Sequence, residues 1–312
     1  GRFDLSVLEA ALNTVEAGHE SLRTSFPAKG DRVVQVVHAP TARALRFTDL
    51  SALGADDQAA ELRRLAQHQA SQPFRLDRDR PLRMLLVKLA HDRHVLLLTV
   101  HHLAFDGWSR WLLRQELGEH YTALSQGLPT AASAPVQYAD YAAWRRQAVP
   151  RPESLDYWHR QLCGAPQLDL PTDFARTAID SSHGAQVVRE LPAALLVQLE
   201  ALATRERATL YMVLLTGFKL VLSRWTGADD LTVGSPVANR PRPELERLIG
   251  CFIEMLPIRS DLSGARSGVE ALQRLRSAVV GGFAHADVGF EKIVEHVAPL
   301  RRAGHHPLFD VM

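Results

Sequence analysis

Hydrophobic positions along the chain alternate between two periods. Residues 4 to 17 set Leu5, Leu8, Leu12 and Val15 at three- and four-residue intervals, the spacing of one helical face, with Asp4 placed as an N-cap. RVVQVV (32 to 37) reads as a strand, and residues 57 to 70 as a polar, Ala-rich helix. PLRMLLVKLA and HVLLLTV then flank His91-Asp92-Arg93, two apolar arms around a short polar turn, which predicts an antiparallel hairpin. Gly107 interrupts, and WSRWLLRQELGEHYTALSQG resumes as a helix with Trp111, Leu112 and Leu124 on its apolar face and Ser109 as a candidate N-cap. The stretch between hairpin and helix, HHLAFDG, is therefore a strand-to-helix loop.

Shorter helices are expected around VQYADYAAWRRQ and ESLDYWHRQL, and the Pro-, Gly-, Ser- and Asp-rich tract that follows reads as a linker. Beyond it lie a strand QVVREL, helices near 193 to 206 and 209 to 225, strands in DLTVGSPVANR and CFIEMLPIR, and helices at 268 to 284 and 290 to 297. The closing PLFDVM has the look of a strand beginning. Strands and helices do not alternate regularly, so the pattern favours an α+β fold over a doubly wound sheet. The expected division is an N-terminal lobe at 1–165, a linker at 166–185 and a C-terminal lobe at 186–312.

Composition narrows the function classes. With 312 residues, 46% hydrophobic and 23% charged, the chain is globular and long enough for two core-bearing lobes. Lys and Arg number 36 against 35 acidic residues, for a net charge of +1 with no basic block, so neither nucleic acid nor an anionic membrane has an electrostatic footprint. Cys163 and Cys251 form no C-x-x-C motif and no disulfide framework, each is expected as a small buried hydrophobe, and the default compartment is the cytoplasm. No apolar run approaches the roughly 20 residues of a membrane span.

The chemistry concentrates in TVHHLAFDGWSRW (99 to 111). Successive side chains of a strand point to opposite faces, so His101 and His102 are poorly placed to share one metal ion, and no metal is expected. A serine nucleophile is equally disfavoured, because neither Gly107-Trp108-Ser109 nor Gly234-Ser235-Pro236 completes a G-x-S-x-G elbow. Two readings stay open from spacing alone. Either one histidine is a satisfied polar residue at a strand end while Asp106 caps the next helix, or one histidine is locked inward while the other faces a cleft and handles an amine or hydroxyl proton.

HHLAFDG resembles the HHxxxDG signature of condensation domains of nonribosomal peptide synthetases, relatives of chloramphenicol acetyltransferase. Five further segments resemble the family's motifs in the family's order. They are GHESLRTSF (18 to 26), YADYAAWRRQ (138 to 147), GSPVANR with IGCFIEMLPIRSDLSG (234 to 264), HADVGFEKIVEHV (285 to 297) and HHPLFDVM (305 to 312). Gly18, Glu254, Met255, Ala286 and Gly289 depart from the family's usual residues.

The resemblance implies two chloramphenicol-acetyltransferase-like lobes in a V arrangement, both truncated here, with the HHxxxDG loop in a tunnel at their junction. It implies amide-bond formation between a donor acyl or peptidyl thioester and the α-amine of an acceptor aminoacyl thioester, with an L-configured donor. The substrates would ride on phosphopantetheine arms of donor and acceptor peptidyl carrier proteins, with an adenylation domain alongside in the same megasynthase. The domain itself would bind no cofactor and would be monomeric. Carried over by position, His102 stands beside the attacking amine, and Gly107 gives room and an N–H for developing oxyanion charge. His101, Asp106, Arg240 and Arg23 support the loop, with Arg240, on the opposite lobe, as ion-pair partner of Asp106. Trp108 is expected in the core, and Tyr138 and Trp144 as packing residues. The alternatives within the superfamily are an epimerization domain, against which DGWSRWLL argues, and an ester-forming acyltransferase. From a different class comes a non-catalytic carrier-binding platform, a role usually accompanied by loss of the second histidine, which this chain keeps as His102.

Overall fold

The computed structural model describes residues 3–130, 136–174, 184–298 and 305–312. The chain folds into two compact units, one formed by Gly1–Ala148 with Arg240–Ile253, the other by Val149–Asn239 with Glu254–Met312. The division differs from the one expected from the sequence. The helix at 152–162 belongs to the second unit, and the segment from Arg240 to Ile253 returns to the first. Most of the expected linker, residues 175–183, lies outside the described residues.

In the first unit, α1 (Leu5–Gly18) starts where Asp4 accepts the N–H groups of Ser6 and Val7. It buries Leu8, Leu12 and Val15, the face its spacing predicts. Four two-residue strands follow, β1 (Thr24–Ser25), β2 (Ala28–Lys29), β3 (Arg32–Val33) and β4 (Val36–Val37). The single strand expected at 32–37 is thus two pieces. Gly30, at φ 63°, closes a tight turn that pairs β3 with β2, while β4 pairs back with β1. Then come β5 (Arg46–Asp49), α2 (Ala55–Ser71), β6 (Leu82–Ala90) and β7 (Arg93–Val100). β6 is the centre of a three-stranded sheet, parallel to β5 and antiparallel to β7, with Leu82 opposite Val100.

Both faces of β6 are covered, which explains its unbroken apolar run. Leu82, Met84 and Leu86 join Leu8, Leu12, Val15, Leu112 and Leu113 in one core, and Leu85 and Val87 pack with Leu62 and Leu65 of α2 in another. The unit is completed by α3 (Gly107–Ser125) and α4 (Tyr138–Gln147). Trp111, expected inside, is 60% exposed, and α3 buries Ser109, Leu112, Leu113 and His120 instead.

The second unit contains α5 (Pro152–Leu162), α6 (Ala193–Arg205), α7 (Leu210–Thr226), the antiparallel pair β8 (Asp230–Val237) and β9 (Glu254–Asp261), α8 (Gly268–Ala284) and α9 (Phe290–Val297). Its core joins Trp158, Leu215, Leu222, Leu231, Ile258, Leu272, Leu275 and Ile293. The strand expected at 186–191 does not form. That segment is irregular, and Val187, Val188 and Leu191 are exposed. The closing PLFDVM is likewise irregular, although the Gly234 N–H donates to the Val311 carbonyl at 2.8 Å. β9 begins at Glu254 rather than at Cys251, because the preceding N–H groups of Gly250 and Phe252 are taken by side chains instead of a strand partner. Cys163 is exposed and Cys251 half-buried, so neither is the buried hydrophobe expected. No helix among the described residues is long and apolar enough to cross a membrane.

Candidate active site

The loop between β7 and α3 holds the candidate residues within the first unit. Its entry is fixed by His101, whose backbone N–H donates to the Pro81 carbonyl at 2.8 Å. The His101 ring caps the single 3₁₀ turn His102–Ala104, Nδ1 accepting the Leu103 N–H at 3.1 Å, so the neutral ring carries its proton on Nε2. Phe74 meets the ring edge-on at 5.7 Å. His101 is therefore committed to the shape of the loop. His102, one residue on, is exposed, with Nδ1 3.6 Å from the Cys251 sulfur.

The far end of the loop is held by Asp106. Its Oδ1 accepts the Ser109 N–H at 2.8 Å, which makes Asp106 the N-cap of α3, and the Ser109 hydroxyl lies 2.8 Å from the same oxygen. Ser109 is thus the capped residue rather than the cap its position suggested. Oδ2 accepts the Phe252 N–H at 3.0 Å. Both carboxylate oxygens lie 3.3 Å from one Arg240 nitrogen, and both side chains are 3% exposed. Arg240 follows Asn239, whose φ of 47° turns the backbone out of the strand direction. Its other terminal nitrogen donates to the carbonyls of Leu245 and Leu248, and its guanidinium stacks 3.9 Å from the centre of the Phe252 ring. Burial pulls the guanidinium below its ordinary pKa and the Asp106 carboxylate pulls it back up.

Arg240 was expected on the opposite lobe. It belongs to the same compact unit as Asp106, through the returning segment 240–253. Arg23 does not join this group. Its hydrogen bond goes to the His38 carbonyl at 2.5 Å and its ion pair to Glu20 at 3.7 Å, so it braces the neighbourhood of β1 and β4 rather than the loop. Gly107 opens α3 with an ordinary negative φ, and a Cβ there would meet nothing within 4 Å. What it offers is open space and an N–H that a first-turn position leaves without an intrahelical acceptor. Trp108, expected in the core, is 39% exposed and donates its indole N–H to the Glu246 carbonyl at 2.8 Å.

Two contributors escaped the sequence reading. Ser109 is fully buried and links α3 to the returning segment, lying 3.0 Å from the Gly250 nitrogen and 2.9 Å from the Gly250 oxygen. The Asp-x-x-Ser spacing of a helix start was its available signal. Cys251 had none, since its contact with His102 spans 149 positions. Tyr138 packs edge-on against Phe252 at 5.0 Å and donates its hydroxyl to the Cys251 carbonyl at 2.8 Å. Glu254 accepts the Phe290 N–H at 3.3 Å, at the start of α9. Among the described residues no group of three His, Cys, Asp or Glu is arranged to hold a metal ion.

The site is thus an exposed imidazole on a loop pinned at one end by the half-buried His101 and at the other by the buried Asp106–Arg240 pair. The sequence profile of the condensation domain matches residues 1–312. A linear gramicidin synthase of Brevibacillus parabrevis is 41% identical over 317 residues, a match that covers 100% of this chain and 4% of that protein. Phosphinothricin tripeptide synthetase PhsB of Streptomyces viridochromogenes is 38% identical, with 100% of this chain and 27% of that protein covered. Among solved structures, the X-domain from teicoplanin biosynthesis superposes with a TM-score of 0.87 at 33% identity, over 99% of this chain and 69% of that one. The first condensation domain of the calcium-dependent antibiotic synthetase, in complex with substrate analogue 2a, gives 0.75 at 26% identity, over 95% and 70%.

Proposed function

Because the chain belongs to the condensation-domain family of nonribosomal peptide synthetases, we propose that it forms an amide bond between two carrier-bound thioesters, with His102 beside the attacking amine. The observation that carries this reading is the exposed His102 ring on a loop whose two ends are fixed by His101 and by the Asp106–Arg240 pair. A group that must meet a substrate atom in a set geometry needs such support. The acceptor α-amine attacks the donor carbonyl, a C–N bond forms, the C–S bond of the donor thioester breaks, and the proton lost by the amine ends on the departing phosphopantetheine sulfur. His102 Nε2 receives an amine N–H along that path, as general base or as a positioning group. The Gly107 N–H, at the positive end of α3, is available to the oxyanion.

The partners in this reading are donor and acceptor peptidyl carrier proteins and an adenylation domain in one cytoplasmic megasynthase, with the domain monomeric and its donor L-configured. The chain spans 4% to 8% of the synthetases of Brevibacillus parabrevis and Chondromyces crocatus that it matches, so these assignments concern a small part of a large enzyme. The test is transfer between loaded carrier proteins by the wild type and by His102→Ala. Loss of the condensed product is expected, and undiminished product overturns the role of His102.

A second reading has its own observation. An X-domain from teicoplanin biosynthesis that superposes with a TM-score of 0.85 at 32% identity was solved as a complex with OxyB. On that reading this chain is a docking platform, and the His102→Ala variant would leave assembly-line output unchanged.

A further inference from the structure

We propose that Cys251 is a positioning residue for His102, holding the ring so that Nε2 presents its lone pair to the amine; this rests on the reading of His102 given above. The backbone around Cys251 is pinned on both sides. Before it, Gly250 is tied to Ser109 through its N–H at 3.0 Å and its carbonyl at 2.9 Å. After it, the Phe252 N–H is held by Asp106 at 3.0 Å. The Cys251 carbonyl itself accepts the Tyr138 hydroxyl at 2.8 Å. The Tyr138 ring lies so close to this backbone that a Cβ on Gly250 would stand 2.2 Å from it. With the main chain so constrained, the same groups that shape the loop fix where the Cα–Cβ bond of Cys251 starts and points. The thiol is half-buried and its sulfur lies 3.6 Å from His102 Nδ1, within reach of a hydrogen bond to sulfur.

The direction of that bond decides what the ring can do. A neutral imidazole has one donor and one acceptor nitrogen, and the thiol is a weak donor and a weak acceptor. With Nδ1–H donating to the sulfur, Nε2 is the acceptor and faces outward to receive an amine N–H. The reverse arrangement would put the proton on Nε2 and turn the ring into a donor, of no use to an amine that must shed a proton. Cys251 thus stands to His102 as the orienting group of a nucleophile–base–orienter series stands to its base. It acts through His102 rather than on the substrate.

The experiment compares wild type, Cys251→Ala, Cys251→Ser and His102→Ala. Each is measured for transfer between loaded carrier proteins and, with ¹⁵N-labelled histidine, for the protonation pattern of the His102 ring. Cys251→Ala is expected to lower kcat about three- to tenfold, the worth of one modest hydrogen bond. KM for the acceptor carrier should hold, while the His102 ring becomes a mixture of tautomers. Cys251→Ser keeps an acceptor at the same place and is expected to restore both the rate and the Nδ1–H form. Wild-type kcat with a wild-type ring spectrum in Cys251→Ala overturns the proposal. So does a Cys251→Ser variant as slow as Cys251→Ala with the ring spectrum unmoved, which would make the thiol a packing group. If His102→Ala transfers at the wild-type rate, the reading of His102 itself fails; if it is inactive while Cys251→Ala is silent, the role of Cys251 alone fails.

Discussion

Replacing Asp106 by Ala removes the acceptor for the Ser109 N–H, the Ser109 hydroxyl, the Phe252 N–H and Arg240 at once. The guanidinium left behind is 3% exposed and has no water to turn to. Breaking a buried ion pair by deleting one partner costs about 3 to 5 kcal/mol, and losing an N-cap about 1. Arg240 keeps the Leu245 and Leu248 carbonyls and the face of Phe252, which draws the sum to the lower end, about 4 kcal/mol. Arg240→Met alone strands a buried carboxylate that still holds its N–H donors, and is expected to cost about 3 kcal/mol. The double variant leaves no unpaired charge, so its loss should fall short of the sum by about 2 kcal/mol or more, the coupling of a buried pair. Urea unfolding of the four proteins, followed by far-UV circular dichroism, closes the cycle. Losses that add to within about 0.5 kcal/mol would mean the two side chains do not act as a pair, and would refute the argument.

Desolvation drives the Lys219 ammonium down to about 7, although it donates to the Leu231 and Ile258 carbonyls and to Ser260. The unfolded lysine keeps its proton to far higher pH, so between pH 7 and 10 the unfolded chain binds more protons and stability rises with pH, by up to about 1.4 kcal/mol per unit. Lys219→Met should remove that increment from urea midpoints measured across the range, and parallel pH profiles would contradict it. Gly250→Ala would drive a methyl into the Tyr138 ring, 2.2 Å away, and is expected to lower stability by about 1 to 3 kcal/mol together with the transfer rate. Gly217→Ala, on the exposed side of α7 with nothing within 4 Å, should instead raise the thermal midpoint by the worth of about 0.5 to 1 kcal/mol; a neutral Gly250→Ala or a destabilising Gly217→Ala would count against these contacts.

Local pattern and motif carried the elements that burial stabilises. The spacing of Leu8, Leu12 and Val15, and the paired apolar arms of β6 and β7, specify α1 and the hairpin because burial of those side chains is what stabilises them. Where burial does not decide, the pattern misleads. RVVQVV is apolar yet largely exposed, and it divides at Val34-Gln35 between two pairings, with β2 and with β1; QVVREL has the composition of a strand and no partner strand among the described residues. The site divides the same way. Asp106 and Ser109 sit three residues apart and obey a capping rule, so their contact is local and readable. Arg240 and Cys251 reach the loop across 134 and 149 positions, and such contacts follow from where the chain re-enters a unit, which no periodicity encodes. The motif resemblance supplied Arg240, because GSPVANR carries it as a fixed position. Nothing local marks Cys251 within IGCFIEMLPIRSDLSG, and its relation to His102 becomes visible when the Tyr138, Ser109 and Asp106 bonds fix the backbone on which the thiol is mounted.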